Sequence, residues 1–130
     1  MLNSKTLIPS FVFLILFNFA SAQSVNCRKM REGVFKMVTR GIPTTIKRYK
    51  NYQLEYFNNA TKPITFKIQW IDDCTYTLKP DASAFLKYPQ IPRNALITVR
   101  ITKTYENGYT MKTTANFNNK TMVGEVIKVK

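Results

Sequence analysis

The sequence predicts an all-β protein, an antiparallel meander of about eight strands that closes into a barrel or half-barrel. Three observations carry that expectation. Apolar residues recur with period two and seldom with a helical period, β-branched and aromatic residues dominate those runs, and short breaks with turn chemistry separate them. Short connections make successive strands neighbours, and closure is the simplest way for a meander to lose its unpaired edges.

Ile64–Trp70 is the clearest strand: Ile64, Phe66, Ile68 and Trp70 share one face, and Thr65, Lys67 and Gln69 the other. Val34–Thr39, Thr44–Tyr49 and Tyr52–Phe57 precede it; Cys74–Lys79, Ala95–Tyr105, Tyr109–Phe117 and Met122–Lys130 follow. Phe66, Ile68, Trp70, Tyr76, Leu78, Val99 and Ile101 are expected to share one buried side. The breaks hold Gly41-Ile42-Pro43, Lys50-Asn51, Asn58-Asn59, Asp72-Asp73, Asn107-Gly108 and Asn118-Asn119. Asn107-Gly108 suits a type I′ hairpin turn, which needs positive φ at both central residues, and Asp72-Asp73 reads as a turn.

Residues 80–94 depart from the pattern. The segment is too long for a hairpin turn and holds Pro80, Pro89 and Pro92. Asp81 is placed to cap one helical turn, Ala82–Leu86, which Pro89 forbids to continue. The segment is expected to cover one end of the barrel, either as a plug built from Phe85, Leu86 and Tyr88 or as a lid over a ligand.

Residues 1–22 read as a cleavable signal peptide: Lys5 near the start, an apolar run through Phe11–Phe17, and Ala20-Ser21-Ala22 before the cut. Pro9, Ser10 and Asn18 leave that run far short of the roughly 20 apolar residues of a membrane span. A single domain, 23–130, is thus expected outside the cytoplasm, periplasmic or secreted, with no transmembrane span after cleavage. Cys27 and Cys74 are the only two cysteines, and in an exported chain they are expected to form a disulfide.

The chain carries 20 Lys and Arg against 7 Asp and Glu, a net charge of +13 that falls to +12 without Lys5. A surface of that sign favours anionic partners, an envelope polymer or lipid headgroups. Arg40, Lys47, Arg48 and Lys50 lie among Tyr49, Tyr52, Tyr56 and Phe57 and are the candidate contacts, with no specific nucleic acid expected. The chain has no His, which removes Ser-His-Asp and Cys-His catalysis and histidine metal sites. No catalytic residue, metal or cofactor is expected.

Phe66-Lys67-Ile68-Gln69-Trp70-Ile71-Asp72-Asp73-Cys74-Thr75-Tyr76-Thr77-Leu78, taken with Cys27, Arg31-Glu32-Gly33-Val34-Phe35, Gln53-Leu54-Glu55 and Gly124-Glu125-Val126-Ile127-Lys128, resembles a family of small exported proteins and lipoproteins of Gram-negative bacteria. The resemblance implies an all-β fold and an envelope location and supplies no catalytic residue. The chain departs from the lipoprotein members in lacking a lipobox before Cys27. Some relatives carry a DNA topoisomerase IV label, which these residues do not support.

Two functional expectations follow. In one, the protein is a non-catalytic, lipocalin-like binding protein that holds a small apolar ligand in a hollow lined by Phe66, Ile68, Trp70, Val99, Ile101 and Met111. In the other, the barrel is solid-cored and contacts anionic surfaces through its basic residues.

Overall fold

The structure is a computed structural model that describes residues 25–130. The expected signal peptide lies outside the described residues. A short 3-10 turn, Arg28–Met30, leads into eight strands: β1 (Gly33–Thr39), β2 (Ile42–Arg48), β3 (Tyr52–Phe57), β4 (Ile64–Trp70), β5 (Thr75–Pro80), β6 (Ile97–Tyr105), β7 (Gly108–Ala115) and β8 (Thr121–Lys128). Each pairs antiparallel with the next, and β8 returns to β1, closing the barrel. Among the described residues no helix is long and apolar enough to cross a membrane.

Register fixes which side chains face inward, because directly opposed residues share a face. Arg48 opposes Gln53, Ile46 opposes Glu55 and Thr44 opposes Phe57 across β2 and β3; Trp70 opposes Tyr76 and Ile68 opposes Leu78 across β4 and β5. The buried cluster holds Phe66, Ile68, Tyr76, Leu78, Val99 and Ile101, with Trp70 half-buried against it, so the seven expected core residues do share the inner side.

The turns follow local chemistry with one exchange of roles. Arg40 and Gly41, at φ +50° and +78°, form the tight left-handed pair between β1 and β2. Asn107-Gly108 does not: residues 106–108 have no positive φ, and the two-residue connection is Glu106-Asn107, with Tyr105 opposite Gly108. Gly108 is required for space, since a Cβ there would collide with the Val126 carbonyl oxygen. Asp72 does serve a turn, accepting the Cys74 backbone N–H at 2.9 Å.

Asp81 caps a helix, α1 (Ala82–Lys87), accepting from the Ser83 N–H. The segment packs only in part: Ala84 is buried, Phe85 and Tyr88 are half-buried, and Leu86 is 85% exposed. Leu86 is therefore no part of a plug.

The Cys27–Cys74 disulfide forms with Cα atoms 5.2 Å apart, within bridging range. It ties the 3-10 turn to the β4–β5 loop. At the β1–β8 seam the register comprises Phe35 opposite Lys128 and Lys36 opposite Ile127, extended by bonds between Val34 and Val129 and Lys130. Beside the seam Val38, Val123 and Ile127 face outward, 69%, 72% and 60% exposed.

Candidate functional site

Up-and-down topology sorts the connections to two ends. The 3-10 turn and the β2–β3, β4–β5 and β6–β7 connections share one end, the floor; the β1–β2, β3–β4 and β7–β8 connections and the α1 segment share the other, the mouth.

The floor is organised by a buried arginine. Arg48 is 2% exposed, carried inward because β2 alternates and Thr44, Ile46 and Arg48 share a face. Its Nε donates to Gln53 Oε1 at 2.7 Å, Nη1 to the Met30 carbonyl at 2.7 Å, and Nη2 to the hydroxyls of Tyr76 and Tyr109 at 2.9 and 2.8 Å. The guanidinium also lies over the Phe35 and Tyr76 rings, 4.6 and 4.7 Å from their centroids. Burial works against its charge, but the Tyr76, Tyr109 and Glu55 oxygens raise its pKa on balance, so it stays protonated. Burial in turn pushes the Tyr76 phenol well above its ordinary value. Since Met30 belongs to the 3-10 turn, the arginine pins the segment that seals the floor.

A polar chain climbs from there. Gln53 is oriented at both ends: its Oε1 accepts from Arg48, and its Nε2 donates to Glu55 Oε1 at 2.8 Å. Oε2 of Glu55 accepts no hydrogen bond among the described residues. Burial raises the Glu55 pKa, opposed by the Gln53 hydrogen bond and by Arg48. Glu55 is half-buried and lies on the lining of the interior.

That interior is a cavity of about 520 Å³, within the range of about 300–1,000 Å³ that holds small ligands. Ile46, Ile64, Phe66, Leu78, Ile97, Val99 and Met111 form its wall; Met37, Ile42, Phe57, Tyr88, Ile91, Phe117 and Met122 carry it to the mouth. Polar groups on the lining include Gln53 and Glu55 on β3 and Thr113 on β7, across the barrel by strand order. The Thr113 hydroxyl oxygen is buried and has no hydrogen-bond partner among the described residues.

Of the six residues expected to line a hollow, Phe66, Val99 and Met111 do so. Ile68 and Ile101 are buried outside the cavity lining, and Trp70 is half-buried at the floor, 4.8 Å from the Arg31 guanidinium and 4.7 Å from the Tyr76 ring.

Arg40, Lys47, Arg48 and Lys50 do not form one surface patch. Arg40 is at the mouth and Lys50 at the floor; Lys47 points outward over the Tyr56 ring at 5.3 Å; Arg48 is inside. The alternation that exposes Lys47 necessarily buries Arg48, which removes Arg48 from any surface contact.

Together, the fold and interior define a closed eight-stranded up-and-down barrel with a sealed polar floor, a hollow apolar middle and an open mouth. No family model, curated protein or solved structure matches the chain.

Proposed function

We propose that the protein is a non-catalytic binding protein that holds a small, largely apolar molecule inside the barrel. The cavity carries the proposal: a space of about 520 Å³ lined mainly by aliphatic and aromatic side chains and open at one end is the usual form of a small-molecule site. Work outside the cytoplasm is part of the same reading, supported by the Cys27–Cys74 bridge, a bond that persists in oxidising compartments.

The test uses N-phenyl-1-naphthylamine, an uncharged fluorophore that brightens in apolar surroundings. It should bind the oxidised protein and be displaced by apolar compounds. Thr113→Trp places a large side chain in the void; overpacking a filled core costs about 1–3 kcal/mol, but here the fold should hold while probe affinity drops about tenfold or more. Absence of probe binding, or equal binding by the plugged variant, would sink the reading.

A second reading, contact with an anionic envelope polymer or lipid, has its own observation. The mouth-end connections carry Arg40, Lys62, Lys87, Arg93 and Lys120 against Asp81. Such a contact would weaken steeply between about 50 and 300 mM salt; binding indifferent to salt would dismiss it.

A further inference from the structure

The polar chain on β3 gives the cavity a direction. Arg48 donates to Gln53, Gln53 donates to Glu55, and the series ends on an oxygen, Glu55 Oε2, that has no donor among the described residues. Gln53 cannot reverse without turning its NH₂ group toward the guanidinium, so the acceptor end stays toward the cavity. An alkyl chain laid against that oxygen would strip its water and return no hydrogen bond in exchange. The deep end of a fitting ligand must therefore be polar, whatever the mouth end carries.

Charge narrows the choice. The buried interior already holds one guanidinium and one carboxyl, bridged by an amide. A ligand ammonium would add a positive charge with no further counter-ion, and a ligand carboxylate would set two acceptors against each other; each is expensive in an apolar surround. A hydroxyl avoids both. It donates to the carboxylate and accepts from the protonated acid, so it meets Glu55 in either state.

Building on the reading of the barrel as a ligand carrier, we infer that its ligand is an uncharged alcohol with an apolar body, seated hydroxyl-first with that group hydrogen-bonded to Glu55 Oε2.

Probe displacement at pH 8 separates the alternatives, using 1-decanol, its methyl ether, decylamine and decanoate on the oxidised protein. The ether keeps the oxygen and loses only the donor. Decanol should compete at least about tenfold better than the ether, the worth of one hydrogen bond to a charged group, and better than the amine or the carboxylate. In Glu55→Leu the alcohol-to-ether ratio should fall to within about twofold. The ligand comparison in the unmodified protein stands even if that variant misfolds. A probe that binds, with alcohol and ether equal or with the amine or carboxylate best, overturns this inference and leaves the carrier reading standing. No binding by probe or any of the four overturns both.

Discussion

Replacing Arg48 with Met keeps an unbranched side chain and removes the donors that the guanidinium supplies to the floor. Four hydrogen bonds go, to Gln53, Met30, Tyr76 and Tyr109. At about 1.5–3 kcal/mol for each bond to a charged group, their sum bounds the loss at roughly 6–12 kcal/mol. Two effects cut it down. Removing the guanidinium recovers the several kcal/mol spent in taking it out of water, and the Tyr76 and Tyr109 hydroxyls, 3.4 Å apart, can pair with each other. Left unpaired are Gln53 Oε1 and the Met30 carbonyl, about 1–3 kcal/mol each, together with the lost ring contacts; the net is about 3 kcal/mol. On a domain of this size that lowers Tm by about 12–24 °C. Urea unfolding followed by Trp70 emission is a suitable assay, since that ring touches Tyr76 beside the substituted site. Arg48→Lys should cost at least as much, because an ammonium keeps the charge but cannot span four separated acceptors. An Arg48→Met variant as stable as the parent would refute the reasoning, showing that an apolar floor serves equally well.

Phe66→Ala should cost about 3 kcal/mol, the low end for such a truncation because one side of the ring already faces the void, while exposed Lys67→Ala stays within about 0.5 kcal/mol by the same urea assay. Breaking the disulfide with Cys27→Ser and Cys74→Ser should remove about 4 kcal/mol by the chain-entropy relation for the 47-residue separation; a loss under about 1 kcal/mol would mean that Arg48 alone fixes the floor. Because the folded Glu55 pKa lies above its unfolded value, the native state binds the extra proton between the two, and unfolding free energy should fall as pH rises through that window. Glu55→Gln should flatten that slope in a pH series of urea titrations, and an unchanged slope would assign it to another group.

The strands were legible because one-sided burial writes itself as alternation. Ile64–Trp70 shows this with bounds that match the structure. β3 shows the failure: alternation alone would place Leu54 and Tyr56 inside, yet Gln53, Glu55 and Phe57 face inward, because Ile46 and Arg48 on β2 lie opposite Glu55 and Gln53. The site is the place where local pattern and burial disagree, so a search for apolar faces passes over it. One signal was present. Thr44, Ile46 and Arg48 alternate with Thr45 and Lys47, which puts an arginine in line with an isoleucine that must be buried. Reading the same segment as a run of positive charge put Lys47 and Arg48 on one surface, where a strand cannot place adjacent residues.

The seam between β1 and β8 sets how this chain can go wrong. Every other pairing joins neighbours in sequence, whereas Phe35 and Lys128 must find each other across most of the chain, so closure comes late by loop entropy. Until then β1 and β8 are bare edges, flanked by outward-facing Val38, Val123 and Ile127, and a bare edge is a template for pairing with another molecule. Lys36 and Lys128 sit in the seam register itself, and exposed Lys36 puts a charge on the outer face of the β1 edge, a feature that discourages edge-to-edge pairing. Refolding yield should therefore fall as protein concentration rises, and fall further when Lys36 is made neutral: intermolecular aggregation competes with the last step of barrel closure.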